Sequence, residues 1–538
     1  MNNNNNKTIG VIGCGASGII VIKELLEQGN NVICFEKSDS IGGIYTNISP
    51  NTLLTTSSLL TAFSDYSDGN ERNPKFWSAQ EYIYYLEEFV KTFHLQSNIH
   101  FNSEVKSIKY DTDKKKWLIN VNFEKLQLPK DNLYEVDAIA ICSGINSIPN
   151  IPILKNQTTF TGKIIHSSEC KEMNMNIFTN KRVFIIGSGE TTADLCHGIS
   201  RIASKIGILI RETHGHIVVR GHSPGYVSDT NTNRARYSNP YILGSVIATL
   251  TQFTKLVLSY FKNNTNNTKI MKKIFELNSK QKTSAFSKFG CKNENFVKSI
   301  IFHGAEIYNT KNFSINEKNI VFDDGTQFAD CDIILLCTGY KSHFPYLEQY
   351  HPELFEVAKN PRENFKQMFP CFRAENDIAF FGFVRPAFGS IPPIVELQAR
   401  LFGLVINDKI KLPNNITEVS KKDALEWDRR FCYDSNRINS IVDFQIYCDS
   451  LAELIGCMPN LKKIFFTNPY LWMKIFFGPF TMHQYRIEGP NSNIKRALSV
   501  YYKQPFGGFL EIIITFTFLI ISKILSLFGW KQFTPNNF

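Results

Sequence analysis

Two short glycine-rich stretches hold the residues whose types and spacing are best suited to chemistry. One is Gly13-Cys14-Gly15-Ala16-Ser17-Gly18 and the other is Gly187-Ser188-Gly189-Glu190-Thr191-Thr192. In the G-x-G-x-x-G pattern the first glycine allows a tight turn, the second lets the backbone approach a pyrophosphate, and the third permits close packing of a helix on a strand. A helix that begins there points amide donors and the positive end of its dipole at the phosphates. Chemistry of this kind is the holding of two dinucleotides.

The residues downstream of each stretch separate the two ligands. Glu36 stands 21 residues beyond Gly15, where a carboxylate accepts hydrogen bonds from an adenosine ribose. Gly42-Gly43 then lets the chain pass close to a bulky ring system, which points to FAD as the first ligand. No cysteine lies between Cys34 and Cys142, so a redox cysteine pair shortly after those glycines is excluded. In the second unit Arg211 comes 22 residues after Gly189, with Arg220 nearby, and a guanidinium there suits the 2′-phosphate of NADPH. The third glycine of that fingerprint is replaced by Thr192.

These residues need a strand, a turn and a helix to hold them. The run from Thr8 to Gly13 reads as a buried strand, the stretch to Gln28 as a helix and Asn31 to Glu36 as a second strand. The same order recurs at Arg182 to Ile186, Gly187 to Ile202 and Ile206 to Arg211. Two further apolar strands, VDAIAICSG ending at Gly144 and CDIILLCTGY ending at Tyr340, bring Thr338 and Gly339 towards a cofactor. The expected fold class is α/β, with two Rossmann-like dinucleotide-binding domains. Residues 8–170 and 330–504 are expected to form the FAD-binding domain and the C-terminal region. Residues 171–329 form an inserted NADPH-binding domain with a helical insertion at about 231–296. Residues 1–7 read as a disordered asparagine-rich N-terminus, and 505–538 as an apolar membrane-anchor tail. Within that tail, 22 residues from Phe509 to Trp530 would extend about 33 Å as a helix, against a hydrocarbon core of about 30 Å.

Composition narrows the function classes. At 538 residues the chain is long enough for two or three domains. Its net charge of +10 is scattered rather than clustered, and no nucleic-acid motif accompanies it, so a nucleic-acid partner is not expected. Twelve cysteines without a C-x-x-C pair imply a reducing compartment. His214, His216 and His222 lie close together, but no cysteine or carboxylate spacing completes a metal site, and no metal is expected.

Between the fingerprints, Phe160-Thr161-Gly162-Lys163-Ile164-Ile165-His166 resembles the F-x-G-x-x-x-H signature of the flavin-containing monooxygenases. The signature's last, usually aromatic, position is Cys170. CFEKSDSIGGIY (34–45), FSDY (63–66), LCTGY ending at Tyr340 and FGFVRPAFGSIPPIVELQARL (381–401) extend the resemblance. Phe477-Gly478-Pro479 and Gln484-Tyr485-Arg486 are similar to the animal-type, N-oxide-forming dimethylaniline monooxygenase branch. In order, the matches cover roughly residues 8 to 500. The resemblance implies that NADPH reduces FAD, that O2 adds at flavin C4a, and that retained NADP⁺ shields the hydroperoxide until a soft nitrogen or sulfur atom of a small molecule takes the oxygen. It also implies attachment to the endoplasmic reticulum membrane, with the catalytic part facing the cytoplasm. His166 is then a residue that positions a linker beside the cofactors.

One departure bears on the chemistry. The family commonly has an asparagine before FSDY, and counting back from Phe63 brings Thr55 to that place. A hydroxyl cannot copy an amide's paired donor and acceptor. Two alternatives stay open beside oxygenation at nitrogen or sulfur, the second of them motivated by Thr55 and Thr192. One is a Baeyer-Villiger or N-hydroxylating monooxygenase, and the other is a membrane-tethered flavoprotein that has lost oxygenation and serves as a binding or redox-sensing partner.

Overall fold

The computed structural model describes residues 6–527 apart from 50–51, 123–131, 172–174, 211–216, 221, 224–225, 238–248, 251, 255, 261–264, 280–290, 311, 432–438 and 508. Arg211, His214 and His216 lie outside the described residues, as do residues 1–5 and 528–538.

In chain order, the elements that position the site are β1 (Thr8–Ile12), α1 (Ala16–Glu27), β2 (Asn31–Phe35), β3 (Ile99–His100), β4 (Ala138–Ile141), β5 (Lys163–His166) and β6 (Arg182–Ile186). They continue with α2 (Glu190–Ile199), β7 (Lys205–Ile210), α3 (Asn295–His303), β8 (Glu306–Asn309), β9 (Ile333–Leu336), β10 (Ile378–Phe380), α4 (Ile391–Ile406) and α5 (Phe509–Leu527).

β1, β4, β6 and β9 are short apolar runs without alternation (TIGVI, AIAI, RVFII, IILL), the pattern of strands covered on both faces. They assemble two five-stranded parallel sheets, ordered β10-β4-β1-β2-β3 and β8-β7-β6-β9-β5. In each sheet a central strand leads through a glycine into a helix. The strand of the same unit lies on one side of it and a strand returning from far along the chain lies on the other. That is a topological switch point, where ligands of doubly wound sheets bind. α1 packs against α4 over the first sheet, and Ile19, Ile20, Val395 and Phe402 are buried in the core they share.

Two boundaries differ from the sequence expectation. The sequence places β5 and β9 within the FAD segments, yet both pair in the second sheet, with Leu335 opposite Ile165 and Ile185 opposite Leu335. All of these strands are uniformly apolar, so composition does not say which sheet a strand joins. The chain crosses between the units at a two-stranded antiparallel ribbon, in which Pro149 pairs with Tyr340 and Ile148 with Lys341.

The described part of the expected membrane-anchor tail is α5. Among the described residues no helix is long and apolar enough to cross a membrane. α5 has 19 residues, about 28 Å. It contains Glu511 and Lys523, and it packs against the short helix Arg234–Tyr237. Thr515 is buried, while Ile513, Phe516, Ile520, Ile521 and Ile524 remain exposed.

Candidate active site

The first fingerprint is a tight cradle. Gly13 has φ +98°, and a Cβ there would lie 2.8 Å from the Cys142 carbonyl oxygen at the end of the returning strand β4. At Gly18 a Cβ would lie 2.0 Å from the Gly13 oxygen, so α1 approaches β1 as closely as only glycine allows. Gly15 faces Gly43, where a Cβ would come within 3.1 Å of the Gly15 Cα. Gly42, at φ +111°, turns the chain into that approach. Glu36 is buried at the end of β2. Its carboxylate accepts from the Cys14 amide at 2.6 Å and from the Ser38 amide and hydroxyl at 2.9 and 2.7 Å. It is therefore fixed beside the turn before any ribose arrives.

The second fingerprint repeats the plan with one change. Gly187 has φ +124°, and a Cβ there would lie 2.4 Å from the Cys337 carbonyl oxygen at the end of β9. A Cβ on Gly189 would meet nothing within 4 Å, which leaves open space at the start of α2. Where the first unit has Gly18, this one has the buried Thr192, whose hydroxyl donates to the Gly187 oxygen at 3.0 Å. α2 thus packs on its strand through a hydroxyl instead of through bare backbone contact.

The expected linker residues come together at the crossing. His166, at the end of β5, is buried. Its Nε2 lies 3.2 Å from the Gly339 oxygen and its Nδ1 2.9 Å from the Ser168 hydroxyl. Its ring meets Tyr340 edge-on, with centroids 5.5 Å apart. Burial holds the imidazole below its ordinary pKa, which favours the neutral form that donates from Nε2 to the carbonyl. Thr338 donates to the Asn150 oxygen at 2.6 Å.

Arg220, expected near the 2′-phosphate, instead joins a polar cluster with Leu53 and Glu190, whose other members sequence reasoning missed. Ser57 lies two positions past the half-buried Thr55, and its amide donates to the Asp229 carboxylate at 2.5 Å. Arg220 donates to the Leu53 oxygen at 3.2 Å, and its Nη2 stands 3.7 Å from Glu190. Glu190, the first residue of α2, accepts from the Lys292 amide at 2.5 Å. Burial pushes the Glu190 carboxyl up to about 7, against the pull of the Lys292 amide and the Arg220 charge. Burial likewise raises Asp229 and lowers Lys292, whose Nζ sits 5.5 Å from the centre of the Phe388 ring. Four stretches of chain distant in sequence meet here, around 53–57, 190, 220–229 and 292. Glu190 could have been found, since a carboxyl in a phosphate-binding turn is out of place electrostatically. No motif marks Ser57, Asp229 or Lys292.

A second buried network explains three of the quoted motifs. Arg486 of the QYR stretch reaches Glu24 of α1 at 2.5 Å, Asp65 of FSDY at 2.8 Å and Glu396 of α4 at 3.0 Å. Ser64 donates its amide to Glu396 at 2.8 Å and accepts from Arg486 Nε at 2.8 Å. Lys23 pairs with Glu24 at 3.0 Å and with Glu27 at 2.9 Å, so cations already occupy the gap between Glu24, Glu27 and Asp65.

The family model for flavin-binding monooxygenase-like proteins matches residues 6–500. A 4-hydroxybenzoate brominase (decarboxylating) of Pseudoalteromonas luteoviolacea is 32% identical over 498 residues, covering 90% of this chain and 91% of that protein. Flavin-containing monooxygenase 5 of Rattus norvegicus is 31% identical over 505 residues, covering 90% of this chain and 89% of that protein. Among solved structures, ε-caprolactone-bound cyclohexanone monooxygenase shares the fold with a TM-score of 0.62 at 16% identity, over 84% of this chain and 98% of that one. S-allyl-L-cysteine S-oxygenase of Allium sativum shares it with a TM-score of 0.57 at 19% identity, over 93% of this chain and 99% of that one. With two glycine cradles at two switch points and a match along nearly its whole length, the chain belongs to the flavin-binding monooxygenase-like family.

Proposed function

We propose that the chain is an NADPH- and O2-dependent monooxygenase that places one oxygen atom on a soft nitrogen or sulfur atom of a small molecule. The observation that carries this reading is the buried polar cluster in which Glu190, at the second cradle, meets Arg220 and Lys292, while Arg220 and Asp229 bond to Leu53 and Ser57 of the first unit. Both cofactors of the family fit the residues present. Gly13, Gly15, Gly18, Gly42 and Gly43 leave room for FAD against bare backbone, with Glu36 fixed for its ribose. Gly187, Gly189 and Thr192 open the start of α2 to the NADPH pyrophosphate, and Arg211 is assigned the 2′-phosphate.

When bound and reduced, FAD supplies the activation of O2, and the chain's own residues bind, orient and exclude water. The amides at the starts of α1 and α2 hold the two pyrophosphates. Thr55, at the place assigned to the family's asparagine, has one hydroxyl to offer there. His166, neutral and bonded to the Gly339 carbonyl, holds the Thr338-Gly339 turn in place between the units. The exposed apolar residues of α5 are suited to lying on a membrane surface.

A halide is also a soft nucleophile. The 32% identity to 4-hydroxybenzoate brominases over 90% of the chain favours halide oxidation as a second reading. The test is product analysis of FAD-loaded protein with NADPH in air. A thioether, a tertiary amine, a cyclic ketone, and bromide with 4-hydroxybenzoate are each supplied in turn. Sulfoxide or N-oxide is the expected product, and a brominated phenol selects the second reading. Ester alone overturns both, and NADPH oxidation that yields only hydrogen peroxide marks a flavoprotein without oxygen transfer.

A further inference from the structure

Lys23 and Arg486 supply the ion pairs of four carboxylates, those of Glu24, Glu27, Asp65 and Glu396. Glu27, the last residue of α1, stands at the edge of that group. Its partner Lys23, at 2.9 Å, is shared with Glu24 and Asp65, and 40% of the Glu27 side chain is exposed. Burial, with Glu24 adding to it, raises the Glu27 carboxyl against the pull of Lys23. A carboxylate that shares its one cation with two others attracts a further positive group.

Glu27 lines a cavity of about 330 Å³, within the size range of small-molecule sites. α1 has 12 residues, so this end of it lies about 18 Å from the FAD cradle. The cavity floor is apolar, with Leu404 and Ile455 both buried. Lys409 stands exposed on the rim and makes no ion pair among the described residues. Its main chain is fixed by the turn that ends α4, where the Lys409 and Ile410 amides donate to the Leu404 oxygen at 2.9 and 3.2 Å. Gln28 also lines the cavity. Its Nε2 donates to the Glu24 oxygen at 3.2 Å, and its amide packs against Gly403, where a Cβ would come within 2.6 Å of it. Oε1 of that amide is buried and has no hydrogen-bond partner, and an unmet acceptor of this kind is costly.

Glu27 and Lys409 thus line one cavity without pairing with each other, and the unmet acceptor belongs to the residue after Glu27. We propose that this cavity is a second small-molecule site, apart from the cofactor cradles, and that it takes an apolar α-amino acid as its zwitterion. Glu27 and the Gln28 Oε1 receive the ammonium, Lys409 receives the carboxylate, and Leu404 and Ile455 receive the side chain. A plain amine lacks a group for Lys409, a plain acid lacks one for Glu27 and Gln28, and glycine leaves the floor bare.

The test measures binding without turnover. Full-length, FAD-loaded protein with NADP⁺ present is titrated calorimetrically with L-leucine and L-phenylalanine, and the flavin absorbance is followed in parallel. Saturable heat at one site per chain is expected from at least one of them, with the flavin spectrum unchanged. L-leucinamide, 4-methylpentanoate and glycine should each bind at least about tenfold more weakly, as expected for loss of a charge-assisted contact or of the apolar contact. Lys409→Gln should weaken the amino acid by about tenfold or more and leave FAD content unchanged, and Lys409→Arg should restore most of the affinity. Glu27→Gln should weaken it as well. FAD content and melting temperature report on folding, and if Glu27→Gln does not fold, the Lys409 variants and the wild-type comparison of ligands still decide. The proposal is overturned if neither amino acid gives saturable heat, or if L-leucinamide or 4-methylpentanoate binds as tightly as L-leucine. It is equally overturned if binding changes the flavin spectrum and survives Lys409→Gln, which would place the ligand beside the cofactors. Because no oxygen is consumed in these titrations, failure of the monooxygenase reading would show separately, in the product analysis.

Discussion

At the scale of single residues, the glycines of the first fingerprint carry the sharpest prediction. A methyl group at Gly18 would sit 2.0 Å from a backbone oxygen, and α1 would have to move off β1. Gly18→Ala is therefore expected to cut FAD retention after gel filtration by at least about tenfold, read from the flavin-to-protein absorbance ratio. Glu190 makes a pH prediction. Burial raises its carboxyl to about 7, so it is mostly neutral below that pH and charged above it, next to the place for a pyrophosphate. The KM for NADPH should rise as pH climbs through 7, and Glu190→Gln should flatten that rise in steady-state assays across pH 6 to 8. The glycines and Glu36 were readable from sequence because their requirements are local: a turn, a close approach, a strand end. Thr192 was readable as a departure, but its bond to the Gly187 oxygen was not. Ser57 and Asp229, 172 positions apart, were not readable at all, because nothing local records which distant segment will face another.

At the scale of elements, the FSDY, QYR and VELQARL stretches join three parts of the molecule. Arg486 bonds the C-terminal region to α1, to the loop before the helix Ala79–Thr92, and to α4, all in a buried setting. Removing one member of such a cluster leaves its partners charged and unpaired. Arg486→Met is expected to destabilise the protein by about 3–5 kcal/mol, seen as a large drop in the urea midpoint, while Arg496→Met, which removes one donation from a half-buried side chain to the Ser64 oxygen at 3.2 Å, should cost far less. The opposing groups set the acid limit. Asp65 and Glu24 are held below the ordinary carboxylate range chiefly by Arg486 and Lys23, against the desolvation that would raise them. Their stabilisation is present above the unfolded-state carboxylate pKa and is lost as pH falls through their lowered values. Those motifs were visible in the sequence as family resemblance, but their task was not. Recognising a string says nothing about what its side chains touch. The strands were legible as apolar runs to within a few residues, because burial on both faces leaves little choice of side chain.

At the scale of the whole molecule, sequence pattern distinguished two nucleotide units but misplaced their borders. β5 and β9 look like the strands of the first sheet and belong to the second, since the partner of a uniformly apolar parallel strand is decided by where its crossover brings it. The chain passes between the two sheets at the ribbon where Ile148-Pro149 runs beside Tyr340-Lys341. That ribbon already has the strand geometry of a hairpin whose turn has been opened to admit about 190 residues. Joining Pro149 to Tyr340 through Asn-Gly, the dipeptide favoured in two-residue hairpin turns, should close it without moving either strand. Such a shortened chain is expected to keep FAD bound and to lose its reduction by NADPH, measured as flavin bleaching under anaerobic conditions. The host unit would then behave as a socket, and the source of its electrons as an exchangeable plug.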